Sequence, residues 1–191
     1  MGSYSLNCDG ATMIDTPSSG DFSTGATASL WVKTPSYPGT NSIVFVDGNS
    51  KLAFGFYGTQ AAIVSGGGYS SIVINDLKSS WREGWNHIVV TRDAVGTISC
   101  WLNGSKLSGS GGNNWSASDG KCTVGGRYNG SYQTYSTCYV SDFRLYYTLL
   151  TETEINDLYK VRALVTNNGD IMCRDFIDDR SIAQVTNQSI F

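Results

Sequence analysis

The sequence predicts an all-β fold of antiparallel strands. Short runs of strand-forming residues such as TASLWVK, SIVFVDG and WNHIVVTR recur along the chain, and Gly, Asn, Asp or Pro bounds each run. The composition agrees, because only 15% of the 191 residues are charged while 22 are glycine and 11 are tyrosine. Long helical periodicity is absent before residue 150, so a parallel α/β fold would lack its helices. We therefore expect nine or more strands in a sandwich or barrel.

The first long strand shows the alternation of a sheet with one buried face. Within TASLWVK, the apolar Ala28, Leu30 and Val32 alternate with a set of mostly more polar residues. Successive side chains of a strand point to opposite faces, so this period predicts one face in the core and a more polar face outside.

The only histidine, His87, lies in a predicted β-hairpin. The stretch WNHIVVTRDAVGTISCWLNG alternates on both sides of a central DAVG turn, and His87 shares a face with Trp85 and Val89. A histidine among such neighbours is typical of a packed or hydrogen-bonded framework residue. We favour this interpretation over a general base.

One helix is strongly signalled near residue 150. In LLTETEINDLYK, Thr151 and Glu154 have the spacing of a capping box, and Leu150 and Ile155 that of a hydrophobic staple. Acidic residues also suit the positive end of the helix dipole, so this acidic cluster needs no catalytic explanation.

After Lys160 the pattern changes. RALVTNNGDIMCRDFIDD predicts two short strands around an Asn168–Gly169 turn, followed by a polar tail. We therefore divide the chain into a β domain, residues 1–160, and an appended hairpin and tail, residues 161–191, which we expect to act as a docking or linker segment.

Charge and hydropathy patterning exclude several functional classes. Lys and Arg number 13 against 16 acidic residues without a basic run, so we expect no nucleic-acid partner. No apolar run approaches the roughly 20 residues of a membrane-spanning helix, and MGSYSLNCDG lacks the pattern of a signal peptide. The five cysteines contain no CxxC pair, and we expect most of them to be small buried hydrophobic residues.

Several motifs together resemble a known family. SLWVK, WNHIVVTRD, GTISCWLNG, VGGR and VSDFRLYYTLLTETEINDLY occur in the order found in laminin-G-like domains of the concanavalin A-like lectin and glucanase superfamily. The resemblance covers residues 4 to 160 and implies a jelly roll of two curved antiparallel sheets with the ends of the chain paired in one sheet. Such domains commonly bind glycans or proteins, although fold alone does not establish an activity.

Aromatic residues in polar, glycine-rich loops are the candidate carbohydrate site. Sugar C–H patches stack on aromatic rings while hydroxyls bind amides, so a lectin site needs both residue types. The candidates are Tyr69, Asn113, Asn114, Trp115, Tyr128, Asn129, Tyr132, Gln133 and Tyr135. The alternative is that these loops cover sheet edges or contact a protein partner.

A structural calcium ion is implied by the same resemblance. Related sandwiches bind calcium through the N-terminal region and an acidic residue of the last strand, which correspond here to Asp9 or its neighbourhood and to Asp142. Carboxylates are suitable calcium ligands, but about six oxygen ligands are needed. A solvated or salt-bridged strand position is the alternative for Asp142.

We expect no enzymatic activity. Glucanases of the superfamily carry an E-x-D-x-x-E strand motif, which places two carboxylates about 5 Å apart for retaining hydrolysis. Glu83, Glu152 and Glu154 are the only glutamates here, and none belongs to such a motif. A sialidase-like or aspartate-only site is the remaining hydrolase alternative.

The combined features resemble domains of bacteriophage tail or capsid appendages. That resemblance implies a lectin-like domain on a virion or other extracellular surface that recognises bacterial surface polysaccharide beside other virion subunits. The alternative function is a structural or protein-interaction module, such as a virion decoration protein.

Overall fold

The computed structural model describes residues 5–11, 13–17, 24–38, 42–47, 52–57, 60–65, 70–74, 77–112, 121–128, 133–165 and 171–173. The elements up to residue 93 are β1 (Leu6–Asp9), β2 (Ile14–Pro17), β3 (Gly25–Lys33), β4 (Ser42–Asp47), β5 (Leu52–Tyr57), β6 (Gln60–Ser65), β7 (Ser70–Ile74), α1 (Leu77–Ser80) and β8 (Trp85–Asp93). The later elements are β9 (Ile98–Leu102), β10 (Ser105–Lys106), β11 (Ser110–Gly112), β12 (Lys121–Val124), β13 (Gly126–Tyr128), β14 (Gln133–Tyr135), β15 (Thr137–Tyr146), α2 (Glu152–Arg162), β16 (Ala163–Val165) and β17 (Ile171–Cys173).

Two large antiparallel sheets form a jelly-roll sandwich. The first contains six strands in the order β1-β15-β3-β8-β9-β10, and the second contains seven in the order β11-β7-β6-β5-β4-β12-β2. One hydrophobic core joins them, with Leu30 and Ile88 from the first sheet and Phe45, Phe54 and Phe56 from the second. The predicted all-β sandwich is thereby confirmed, and so is the implied pairing of the first strand with the last strand of the domain.

The predicted hairpin around His87 is also confirmed. Strands β8 and β9 pair antiparallel, with Ile88 opposite Leu102 and Val90 opposite Cys100. The turn is closed by Asp93, whose carboxylate accepts hydrogen bonds from the amides of Val95 (3.0 Å) and Thr97 (2.7 Å).

Helix α2 lies on the outer face of the six-stranded sheet. Ile155 is fully buried in a cluster with Val89 of β8 and Trp101 of β9, and Leu150 packs against this cluster. The predicted capping box forms in full: the Thr151 amide donates to the Glu154 carboxylate at 2.7 Å, and the Glu154 amide donates to the Thr151 hydroxyl at 3.3 Å.

Because of this helix, both faces of β3 are buried, although the alternation predicted a more polar outer face. Every residue from Gly25 to Val32 is buried. The outward Thr27 hydroxyl donates to the Thr148 carbonyl at 2.9 Å and accepts from the Leu150 amide at 3.0 Å. These bonds hold the segment that leads into α2 against the sheet, so a polar residue on this face is satisfied without water.

The expected C-terminal hairpin has its two strands. β16 pairs with β17 in antiparallel register, with Ala163 opposite Cys173, and β17 lies near β8. The Asn168–Gly169 turn lies outside the described residues. Across the described part of the chain, no helix combines the length and apolar character that a membrane crossing requires.

Candidate functional site

Three of the predicted carbohydrate-binding residues lie on one two-stranded ribbon, formed by β13 and β14. Tyr128 is the Cα partner of Gln133, and Tyr135 is the partner of Gly126. The other six candidates lie outside the described residues: Tyr69, Asn113, Asn114, Trp115, Asn129 and Tyr132.

The base of the ribbon is fixed to β4 by hydrogen bonds. Gly125 donates its amide to the Val44 carbonyl at 2.7 Å and accepts from the Ser136 amide at 2.9 Å. The buried Ser136 hydroxyl donates to the Ile43 carbonyl at 2.6 Å. The ribbon therefore begins and ends at the same point of the seven-stranded sheet.

A glycine allows the chain to turn from β12 into β13. Gly125 has a φ of 91°, a conformation that L side chains rarely adopt, at the point where the chain leaves β12 and begins β13. Thr123 supports the turn, since its hydroxyl donates to the Gly126 carbonyl at 2.7 Å. Gly125 and Ser136 were not among the predicted site residues, although the Gly-Gly dipeptide of VGGR is a turn signal in the sequence.

The register places the three candidate residues on one face of the ribbon. Cα partners on antiparallel strands belong to the same face, and so do residues two positions apart on one strand. Tyr128, Gln133 and Tyr135 satisfy these relations, and Gly126 opposite Tyr135 contributes no side chain. Two phenol rings and an amide are the groups with which a protein stacks on a sugar ring and binds its hydroxyls.

The structure does not bring the two candidate calcium ligands together. Asp9 is the Cα partner of Thr137 on β15. Asp142 lies five residues further along the same strand, which corresponds to about 16 Å. A calcium ion with ligand distances of about 2.5 Å cannot bind both carboxylates.

Each of these carboxylates has a nearby structural partner. The Asp9 carboxylate accepts from the Ala11 amide at 2.9 Å, and that of Asp142 accepts from Arg144 Nε at 2.8 Å. This hydrogen bond raises the pKa of Arg144, although partial burial opposes the shift. Asp142 also has a φ of 50° at a β-bulge between Ser141 and Arg144. Asp142 is therefore salt-bridged, which was the alternative interpretation of this position, and calcium binding stays a prediction.

Metal-binding clusters are absent from the part of the chain that the structure describes. No three His, Cys, Asp or Glu side chains lie close enough there to hold an ion.

The three glutamates have separate positions: Glu83 precedes β8, Glu152 pairs with Lys106 at 3.6 Å, and Glu154 belongs to the capping box.

His87 is a buried framework residue, as predicted. Its side chain is 1% exposed, and its Nε2 lies 2.9 Å from the hydroxyl of Ser29. Burial lowers the pKa of His87 to about 3, and the positive charge of Arg144 acts in the same direction. An imidazole that stays neutral and is covered by other rings has no access to a substrate.

Comparison with solved structures shows the same fold in larger proteins. The receptor binding domain of botulinum neurotoxin C/D mosaic serotype superposes with a TM-score of 0.61 at 12% identity, over 85% of this chain and 44% of that chain. A Trypanosoma rangeli sialidase in complex with 2,3-difluoro-KDN gives 0.58 at 18% identity, over 81% and 26%. The binding domain of botulinum neurotoxin serotype G gives 0.54 at 18%, over 88% and 50%. This chain thus spans half or less of each, and identities this low establish the fold alone.

Sequence comparison identifies the family. No curated protein matches the chain significantly. The family model Laminin_G_3, described as concanavalin A-like lectin/glucanases superfamily, matches residues 9–156, which is most of the chain and includes every strand of the two large sheets after β1 and the start of α2. The chain therefore belongs to the Laminin_G_3 family of the concanavalin A-like lectin/glucanases superfamily.

Proposed function

We propose that this domain binds carbohydrate without cleaving it, through the β13–β14 ribbon and the loops beside it. The observation that carries the proposal is the register of the ribbon, which puts Tyr128, Gln133 and Tyr135 on one face. Hydrogen bonds from Gly125 and Ser136 fix the base of the ribbon to β4, which gives its two strands a common attachment to the seven-stranded sheet.

The binding part of the proposal is supported by neighbours that are named as receptor-binding domains. The sialidases among the neighbours support sugar recognition and also raise hydrolysis as the competing function. The described glutamates have separate structural positions, so binding without turnover is the better-supported reading of this chain.

Target and setting belong to the same proposal. We take bacterial surface polysaccharide as the ligand class and a virion or other extracellular surface as the place of display, with the C-terminal hairpin contacting neighbouring subunits. The resemblance to phage appendage domains supports this part.

A glycan array with the full chain tests the proposal. The array should carry bacterial polysaccharides and sialylated glycans, with duplicate incubations in Ca²⁺ and in EDTA. We expect wild type to bind a defined subset and Tyr128→Ala with Tyr135→Ala to weaken binding at least about tenfold, since a buried aromatic contact is often worth more than 1 kcal/mol.

The matched control is the pair Tyr139→Ala and Tyr147→Ala. These tyrosines are 37% and 48% exposed and lie on or just after β15, in the other sheet, so their removal should leave binding unchanged. If both double variants lost glycan binding equally, the ribbon would not be the binding site. Absence of binding to every glycan would favour the protein-interaction module, and release of sugar from a bound glycan would establish an enzyme.

A further inference from the structure

Two cysteines face each other across the edge of the six-stranded sheet. Cys8 on β1 is the Cα partner of Cys138 on β15, and both are 1% exposed. Both side chains belong to the core cluster between the two sheets, so they point to the same side of the sheet.

This relationship suits a disulfide. Directly opposed residues of an antiparallel pair have Cα atoms about 4.5 to 5.5 Å apart, within the range of about 4.4 to 6.8 Å found for disulfides. The two cysteines can therefore form the bond without a change of strand register, through side-chain rotation and a small approach of their Cβ atoms.

The position of β1 provides access for an oxidant. β1 is a four-residue strand at the edge of its sheet, with β15 as its neighbour. Short edge strands open locally at much lower free energy than the whole domain unfolds. Opening of β1 exposes Cys8 and Cys138 together.

We propose that Cys8 and Cys138 form a reversible intramolecular disulfide when the domain meets a small-molecule disulfide oxidant, such as oxidised glutathione. The thiolate of one of the two cysteines attacks one glutathione sulfur, forms a mixed disulfide and releases one glutathione thiolate. The other cysteine then loses its proton and attacks the protein sulfur of the mixed disulfide, which releases the second glutathione as a thiolate. Two protein thiols are thus oxidised while one glutathione disulfide is reduced to two thiols.

The register makes the reaction selective among the described cysteines. Cys100 on β9 is opposite Val90, and Cys122 on β12 is opposite Thr16 on one side and Asp47 on the other. Cys173 is opposite Ala163. None of these three has a cysteine as its Cα partner.

A redox titration of the full chain tests the proposal. Reduced protein is equilibrated in glutathione buffers of increasing oxidation, the remaining thiols are blocked, and peptides are mapped by mass without reduction. We expect one Cys8–Cys138 linked peptide and a mass loss of two hydrogens. The bond should raise Tm by roughly 5 to 10 °C, and excess dithiothreitol should reverse the shift.

Variants separate this bond from general oxidation. Cys8→Ala and Cys138→Ala should each abolish the linked peptide and the oxidant-dependent shift in Tm, whereas Cys100→Ala should retain both. A bond between other cysteines, or two free thiols at Cys8 and Cys138 in fully oxidised glutathione, would overturn the proposal. The wild-type peptide map gives this answer even if a variant fails to fold.

Discussion

The phenol ring of Tyr159 is stacked on the imidazole of His87, with ring centroids 5.8 Å apart and an interplanar angle of 20°. Trp31 completes the group, with its ring 5.0 Å from His87 and 5.9 Å from Tyr159. Tyr159 belongs to α2, His87 to β8 and Trp31 to β3. This aromatic group therefore joins the helix to the two central strands of the six-stranded sheet.

Replacing Tyr159 by alanine should loosen α2. The substitution removes both stacking contacts and opens the space above Gly104, since a Cβ built on that glycine would meet the Tyr159 ring at 2.9 Å. We expect a loss of about 2 to 3 kcal/mol in the free energy of unfolding, measured by urea denaturation. Tyr159→Phe keeps the ring and should stay within about 0.5 kcal/mol of wild type. Equal losses in the two variants would contradict a role for stacking.

His87 should make stability depend on pH below neutrality. Its pKa is about 3 in the folded chain against 6.5 for a free histidine. The unfolded state therefore binds a proton first, so the contribution of neutral His87 is complete above pH 6.5 and is lost as the pH falls toward 3. From pH 6.5 to pH 5 the free energy of unfolding should fall by about 2 kcal/mol.

Urea denaturation at pH 7 and pH 5 measures this effect, with His87→Gln as the variant that cannot titrate. Between pH 7 and pH 5, the free energy of unfolding should fall more in the wild type than in His87→Gln. NMR titration provides an independent check, because the His87 imidazole should stay neutral at pH 5. A midpoint near 6.5 would refute the burial argument.

Asn103 should be sensitive to substitution, although it lies in the turn after β9. Its side-chain oxygen accepts from the His87 amide at 2.9 Å, its Nδ2 donates to the Asn86 side chain at 3.1 Å, and its φ is 50°. Asn103→Ala loses the bonds and strains the left-handed backbone, and we expect a cost of about 3 kcal/mol. Asn103→Gly loses only the bonds and should be about 1 kcal/mol less costly. Thermal melts compare the stability of the two variants. If Asn103→Gly were less stable than Asn103→Ala, backbone strain could not explain the cost.

The capping box at Thr151 should contribute modestly to the free energy of unfolding. Thr151→Ala leaves the Glu154 amide without its partner, and we expect a loss of about 1 kcal/mol by chemical denaturation. Thr151→Ser retains a hydroxyl at the cap and should remain close to wild type. If both variants match wild type, the packing of Ile155 alone is sufficient to fix the helix.

The β-hairpin and the capped helix were predictable because local rules determine them. Alternation around DAVG predicted the two strands of the hairpin with His87 and Val89 on one face, and the Thr151–Glu154 spacing predicted the helix start. The burial of Thr27, Ser29 and Trp31 was not predictable from alternation, because the cover comes from α2, more than 100 residues further along the chain. The polar residues of a strand do not show whether their hydrogen-bond partners are water molecules or groups of a covering helix.

The candidate site was predictable in part. Sequence composition selected Tyr128, Gln133 and Tyr135 as candidates, and the register places them on one ribbon, while their role in binding stays a prediction. Resemblance alone paired Asp9 with Asp142, and it could not supply the strand register that separates them along β15. The facing of Cys8 and Cys138 depends on the same register, which spans 130 residues of sequence and leaves no local signal.

The hydrogen-bonded pairing of β1 with β15 has a consequence for circular permutation. The chain enters the two-sheet body at Leu6, opposite Val140, but β15 continues for six more residues, or about 20 Å, before it ends at Tyr146. A peptide that joined the start of β1 directly to the end of β15 would therefore need at least about six extended residues. A circular permutant of the two-sheet body with a linker of that length or longer would keep the pairing of β1 with β15, whereas a shorter linker would strain it.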